Sequence, residues 1–166
     1  MIRRMRRDDF DRLYAEHARP LLGFLAYRTG DRALAEDLLA TTFERVLRAR
    51  RRFDRRRASE KTWIYAIALN CLRDDARRRS AEERAMHRSA ARTPLTTPDL
   101  TQAVETRDAL HQALARLSDE EREAIALRFG GDLTVPEIAK LTGQPLTTVE
   151  GRVYRALRKL RDELSP

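Results

Sequence analysis

Apolar residues recur three and four positions apart along most of this chain, and no stretch alternates as a β-strand would. Phe10, Leu13, Tyr14 and His17 share one helical face. Pro20 interrupts that face, Leu21, Phe24 and Leu25 resume it, and Gly30-Asp31 marks a turn. Leu39, Phe43, Val46 and Leu47 make the next stripe, which ends in RARRRFDRRR. Ile64, Ile67, Ala68, Cys71 and Leu72 make another. After Arg79 the pattern lapses: AEERAMHRSAARTPLTTPDL has few large apolar residues and two prolines, as a linker does.

Beyond the linker the punctuation is clear. Ser118-Asp119-Glu120-Glu121 reads as a capping box, and Gly130-Gly131 can stop the helix it starts. Thr134 with Glu137 is a second box, closed by Gly143, and Thr147 with Glu150 is a third. Val149, Val153, Leu157, Leu160 and Leu164 then form the stripe of a last helix. The spacing predicts an all-α fold of two small helical domains, residues 1–80 and 102–166, tethered by residues 81–101.

Charge sharpens this picture. The chain carries a net +8. Residues 1–80 hold 21 Lys/Arg against 12 Asp/Glu, and residues 81–166 hold 13 against 14. The first half is therefore +9 and the second −1, which points to a polyanionic partner for the first half. One cysteine excludes a disulfide framework and suits a reducing compartment. No apolar run approaches the ~18–20 residues of a membrane span, and MIRRMRR is followed by DDFDRL rather than an apolar signal core.

Two constellations carry candidate chemistry. LTVPEIAKLTGQPLTTVEGRVYRALRKLR has the spacing of a helix-turn-helix, whose second helix enters the major groove. With the apolar stripe set aside, Thr148, Arg152, Arg155 and Lys159 align on its open face, suited to base edges and phosphates. Glu150 has two readings: third residue of the capping box, or acceptor for a cytosine amine. In KTWIYAIALNCLRDDARRR, Trp63, Ala66, Asn70, Arg73 and Arg77 fall along one helical stripe. An aromatic, an amide and guanidiniums together suit unpaired DNA, where rings stack on bases and cations hold phosphates. A core position for Trp63 is the other reading.

With these residues the chain resembles bacterial RNA polymerase sigma factors of the sigma-70 family, in the extracytoplasmic-function (ECF) group. GDRALAEDLLATTFERVLRAR resembles the family's polymerase-gripping helix. TWIYAIALNCLRDDARRR resembles its promoter-melting helix, through Trp63, Tyr65, Ile67, Ala68, Asn70, Asp74, Arg77 and Arg78. LSDEEREAIALRF with the helix-turn-helix resembles its fourth region, which reads the minus-thirty-five element. The resemblance spans about residues 8–164.

It implies roles that spacing did not supply. Glu36, Asp37, Ala40, Thr41 and Glu44 are expected on the clamp of the largest polymerase subunit, with the flap of the second largest as a further partner surface. Phe53, Asp54 and Arg55, in the loop FDRRRASE, are expected to help capture a flipped minus-ten base beside Trp63, Tyr65, Asn70, Arg73, Arg77 and Arg78. Thr147, Thr148, Glu150, Arg152, Arg155 and Lys159 are expected to read the minus-thirty-five element. The implied partners are core RNA polymerase, promoter DNA in double- and single-stranded form, and an anti-sigma factor. No cofactor, metal, small-molecule substrate or membrane insertion is implied, and the expected location is the cytoplasm, on the nucleoid during initiation. Family members often carry Gln where this chain has Ala40, and Lys-Ser where it has Glu150-Gly151, so base preference does not transfer.

Two other classes compete. A free-standing helix-turn-helix regulator would use the C-terminal half alone, and stable binding to core polymerase separates it from a sigma factor. A nucleic-acid enzyme would need metal-binding carboxylates, and Asp8-Asp9 and Asp74-Asp75 are candidates. Neighbours on a helix point ~100° apart, which is poor for a shared metal. His17, His87 and His111 have no metal spacing.

Overall fold

The computed structural model describes residues 7–86 and 112–164, among which all regular structure is helical. Helix α1 spans Arg7–Thr29 and runs straight through Pro20. Pro20 is exposed, as is Glu16, whose carbonyl loses its helical partner, so water can satisfy that group. Gly30 stops α1 in the left-handed region (φ 66°). Asp31 then caps α2, Arg32–Ala49, by accepting from the Leu34 amide at 3.1 Å. A single 3-10 turn, Arg50–Arg52, leads to the loop before α3, Glu60–Met86.

Helix α3 continues past the expected boundary at residue 80. Residues 80–86, SAEERAM, are mostly good helix formers, so propensity carries the helix on without an apolar stripe. The rest of the expected linker, 87–101, lies outside the described residues, as does its junction at 102–111.

The C-terminal half resumes with a helical stretch at 112–115. Helix α4, Asp119–Ile125, starts at a complete Ser118/Glu121 capping box and passes into a π turn, Ala126–Gly130, closed by Gly131. Helix α5, Val135–Thr142, starts at a complete Thr134/Glu137 box and ends at Gly143 (φ 69°). Helix α6, Leu146–Leu164, starts one residue before the third expected box. The Pro145 carbonyl accepts from the Thr148 and Val149 amides at 3.0 and 3.2 Å, so Pro145 sets the start and Thr147 falls inside the first turn. This leaves Glu150 exposed on the helix rather than capping it.

Helices α1, α2 and α3 pack as a bundle around Leu13, Leu21, Leu25, Leu38, Phe43, Val46, Ile64 and Leu69. Leu117, Ile125 and Ala156 form a small cluster under α4 and α6. The two helical domains pack against each other. Leu127, Leu133, Ile138 and Val149 belong to the same buried cluster as Phe24 and Tyr65. Periodicity shows which face of a helix is apolar, but not which partner covers it, so the union was invisible in the sequence.

Candidate nucleic-acid interface

The expected minus-ten residues fall into two groups. Asn70, Arg73 and Arg77 project from α3 into solvent, and no ion pair involving Arg73 or Arg77 occurs among the described residues. Two guanidiniums and an amide thus stand ready on one open face. Arg78 is also exposed but is engaged with Asp75 at 2.7 Å, and Arg79 shares that carboxylate at 2.9 Å. Asp74 reaches the other way, accepting from Arg45 of α2 at 2.8 Å. The acidic pair in this stretch therefore orients arginines, and among the described residues no cluster of metal-ligating side chains occurs.

The second group is the aromatic end, which is mostly buried. Phe53 and Tyr65 are buried, at 8% and 1% exposure, and serve the core in this conformation. Trp63 is half-buried with its ring 4.7 Å from that of Phe53, so part of it packs in the core and part stays open. Asp54 organises the loop: its carboxylate accepts from the Arg56 amide at 2.9 Å, and its carbonyl from the Arg57 amide at 3.0 Å. Arg55 binds Glu60 at 2.6 Å, and Glu60 also takes Arg12 of α1 at 2.8 Å. Arg12 and Glu60, unnoticed in the sequence, thereby tie the loop to α1.

Tyr65 sits edge-on to Phe24, centroids 5.3 Å apart, with its hydroxyl buried and lacking a hydrogen-bond partner. Burial, with help from the Asp132 carboxylate, pushes the phenol up to about 12. The folded value lies above the ordinary 10.0, so the contribution to stability is complete below pH 10 and is lost as pH rises toward 12. We expect Tyr65→Phe to equal or exceed the wild type at pH 7, by up to ~1 kcal/mol, because it removes an unsatisfied hydroxyl. Between pH 10 and 12 the variant should gain a further ~2–3 kcal/mol relative to wild type. Chemical denaturation of both proteins across that range checks this; parallel curves would contradict it.

The expected minus-thirty-five residues also divide. Helix α6 buries Val149 and Ala156, so its most open side carries Thr147, Glu150, Tyr154 and Arg158. Tyr154 is 68% exposed, and the apolar pattern gave no sign of it. The signal was Ala156: a small residue, neutral in the pattern, is fully buried and rotates the open side toward Tyr154. Arg152, Arg155 and Lys159 lie on the flank toward α4, with Thr148 half-buried beside them. Lys159 donates to Glu121 at 2.7 Å, and Arg155 lies 3.8 Å from the same carboxylate. Glu121, visible in the sequence only as a cap, is a buried anion that holds two of the expected DNA-facing cations.

On α2, Glu36, Asp37, Ala40 and Glu44 form an exposed stripe. Thr41 is half-buried, its hydroxyl donating to the Asp37 carbonyl at 2.9 Å. Arg32 pairs with Glu36 at 3.0 Å and Arg48 with Glu44 at 2.5 Å. Such exposed pairs are worth ~0–1 kcal/mol and exchange readily for a partner's charges. No helix among the described residues is long and apolar enough to cross a membrane.

Family comparisons match this arrangement. Residues 13–82 match the model for sigma-70 region 2, and residues 107–160 that for sigma-70 region 4. The chain is 33% identical over 157 residues to the RNA polymerase sigma factor CarQ of Myxococcus xanthus, covering 95% of this chain and 90% of that protein. It is 34% identical over 165 residues to the ECF RNA polymerase sigma factor RpoE of Cereibacter sphaeroides, covering 94% and 86%. Its fold is similar to that of the sigma factor RpoE bound to the anti-sigma factor NepR, from Bartonella quintana (TM-score 0.79, 24% identity, 95% and 97% covered). It is also similar to CnrH in complex with the cytosolic domain of CnrY (TM-score 0.69, 24% identity, 96% and 89% covered).

Proposed function

We propose, from the premise that this chain belongs to the sigma-70 family of RNA polymerase sigma factors and to its ECF group, a division of labour among its exposed faces. As a sigma factor the protein directs core RNA polymerase to promoters. The observation that carries the residue-level reading is the open face of α3, where Asn70, Arg73 and Arg77 stand exposed and the two arginines are unpaired among the described residues. In this reading Arg73 and Arg77 hold phosphates of the melting strand while Asn70 meets base edges. Trp63, backed by Phe53, offers a stacking surface at the other end of the helix. The stripe Glu36, Asp37, Ala40, Glu44 meets the polymerase clamp.

At the other element, α6 enters the major groove with Thr147, Glu150, Tyr154 and Arg158 foremost, and Thr148, Arg152 and Arg155 along the flanking strand. Lys159 contributes through Glu121 rather than directly. Glu150, with no cap to make, is placed to accept a cytosine amine. The protein works in the cytoplasm, by binding and without catalysis of its own. Like the similar RpoE, whose structure is a complex with an anti-sigma factor, it is held in reserve by such a partner.

Arg77→Ala tests the assignment on α3. In holoenzyme the variant should bind promoter DNA more weakly, with a slope of log K against log salt about 1 unit shallower, as expected for one lost phosphate contact. An unchanged slope would remove Arg77 from the phosphate-binding set.

A further inference from the structure

We propose that the cleft between the end of α1 and the start of α4 is a binding site for a small phosphorylated molecule of nucleotide size, held by Arg19, Arg28, Arg32 and Arg122. The site shares no residue with the faces assigned to polymerase and DNA, and it does not depend on those assignments.

The cleft has a volume of about 890 Å³, within the ~300–1,000 Å³ of small-molecule sites. The C-terminal part of α1 and Arg32 of α2 form one side, and Leu114, Ala115 and Arg122 the other. Among the described residues its walls hold four arginines and no carboxylate. Leu22, Ala26 and Leu114 add an apolar strip beside them. Cations next to an apolar strip suit an anion that carries an apolar body. Phosphate fits best, because a guanidinium fork matches its oxygens two N–H bonds at a time. Thr29 and Gly30 bring the carbonyl end of α1 to the cleft, a partial charge of about −0.5 that four guanidiniums outweigh. A cleft walled on two sides admits a phosphate or a pair of them, whereas a DNA backbone needs an open surface to run along.

The cleft also has more donors than acceptors. Arg19 is exposed and makes no ion pair among the described residues. Nε of Arg28 and the hydroxyl of Tyr27 are buried without a partner. Burial pushes the Tyr27 phenol up, and Arg122 and Arg28 oppose this only in part, so the hydroxyl keeps its proton and can donate at neutral pH. Buried donors left unmet are costly, and the oxygens of an anion are the acceptors they lack. The arginines are also loosely held. Arg28 meets Glu123 at 3.4 Å, and Arg122 meets the Leu114, Ala115 and Leu117 carbonyls at 3.4, 3.4 and 3.3 Å. Arg32 has only the exposed Glu36, at 3.0 Å, in a pair that exchanges readily. A small turn of Arg28 presents its Nε to the cleft.

Gly23 keeps the cleft open. It lies inside α1, where glycine weakens a helix, and a Cβ there would meet nothing within 4 Å. A larger side chain at this position grows into the space a ligand would fill.

Calorimetric titration of the full chain at about 0.15 M salt with ADP, inorganic pyrophosphate and adenosine tests the site. ADP should bind saturably at one site per chain, pyrophosphate should displace it, and adenosine should not bind measurably. Arg19→Glu reverses the free cation, and Gly23→Leu fills the cleft. Each should weaken ADP binding by about tenfold or more, the loss of one charge-assisted contact or of the space itself. Neither should lose helicity, and unliganded Gly23→Leu should melt no lower than wild type, since it replaces an interior helical glycine. Arg77→Ala, on the open face of α3, should leave ADP affinity unchanged, which separates the site from the general attraction of a basic chain for anions. No saturable binding of ADP or pyrophosphate would overturn the site. So would binding that survives both Arg19→Glu and Gly23→Leu, or that falls equally in Arg77→Ala. Weakened binding of promoter or core polymerase by Arg19→Glu and Gly23→Leu, with no binding of pyrophosphate, would give the cleft to a macromolecular partner instead.

Discussion

Phe24→Ala is expected to destabilise the free protein by ~3–5 kcal/mol, the cost of cutting a fully buried aromatic residue back to a methyl group. Phe24 is fully buried, and its ring is the surface against which Tyr65 packs edge-on. Its loss removes the transfer energy of an aromatic side chain, leaves a cavity, and forfeits an aromatic pair worth ~0.5–1.5 kcal/mol. The backbone of Gly130 lies against the same residue, so the void opens at the seam between the halves. The variant should therefore lose the union of the halves along with stability. Urea denaturation followed by far-ultraviolet circular dichroism and by Trp63 fluorescence checks this. A change below ~1.5 kcal/mol would show that α1 and the C-terminal half are not packed as described.

Glu121→Leu is expected to cost ~2–3 kcal/mol, although it places an apolar side chain in a buried position. The Glu121 carboxylate accepts from the Ser118 amide at 3.0 Å and from Lys159 at 2.7 Å. Removing it breaks the capping box of α4, worth ~1 kcal/mol, and strands Lys159. Full burial of the pair would argue for more, but Lys159 is 43% exposed and can turn to water. Burial opposes ionisation of this group, but Lys159, the Ser118 amide and Arg155 outweigh it and hold the carboxyl below its ordinary 4.5. A depressed folded value means the contribution is complete above pH ~4.5 and fades as pH falls through the lower value. Wild type and Glu121→Leu should then converge in stability in acid, and a gap constant from pH 7 to pH 3 would contradict the ion pair. The same variant frees Lys159 and Arg155, so its non-specific DNA binding should rise.

Much of this was legible in the sequence because helices announce themselves locally. The capping boxes at Ser118 and Thr134 and the left-handed stop at Gly143 are each made by residues within one turn, and the structure has all three. The third box did not form because the helix starts earlier, with the carbonyl of Pro145, two residues upstream of Thr147, accepting from the Thr148 and Val149 amides. The open cations of α3 were legible because Arg73 and Arg77 lie on a face opposite Ile64 and Ala68, which are fully buried. The aromatic end was not. Phe53 and Tyr65 look alike in a pattern whether they face DNA or a core, and only the packing of Gly131 decides for Tyr65. The pairing of Lys159 was not legible for a related reason: its carboxylate partner lies 38 residues away. Long-range pairs of this kind leave no periodic trace.

The C-terminal half packs over Tyr65 at Gly131, and Lys61 and Lys140 donate to backbone carbonyls across that contact. The acidic stripe of α2 and the Asn70, Arg73, Arg77 stripe of α3 remain exposed.

The most direct measurement is initiation by bacterial core RNA polymerase, with the purified protein added, on a fragmented genomic library from its source, with start sites mapped. Discrete start sites that depend on the protein, and that share two sequence elements upstream, are the predicted result. Absence of specific initiation, together with failure to co-elute with core, would contradict the account and leave the helix-turn-helix as that of a regulator acting alone.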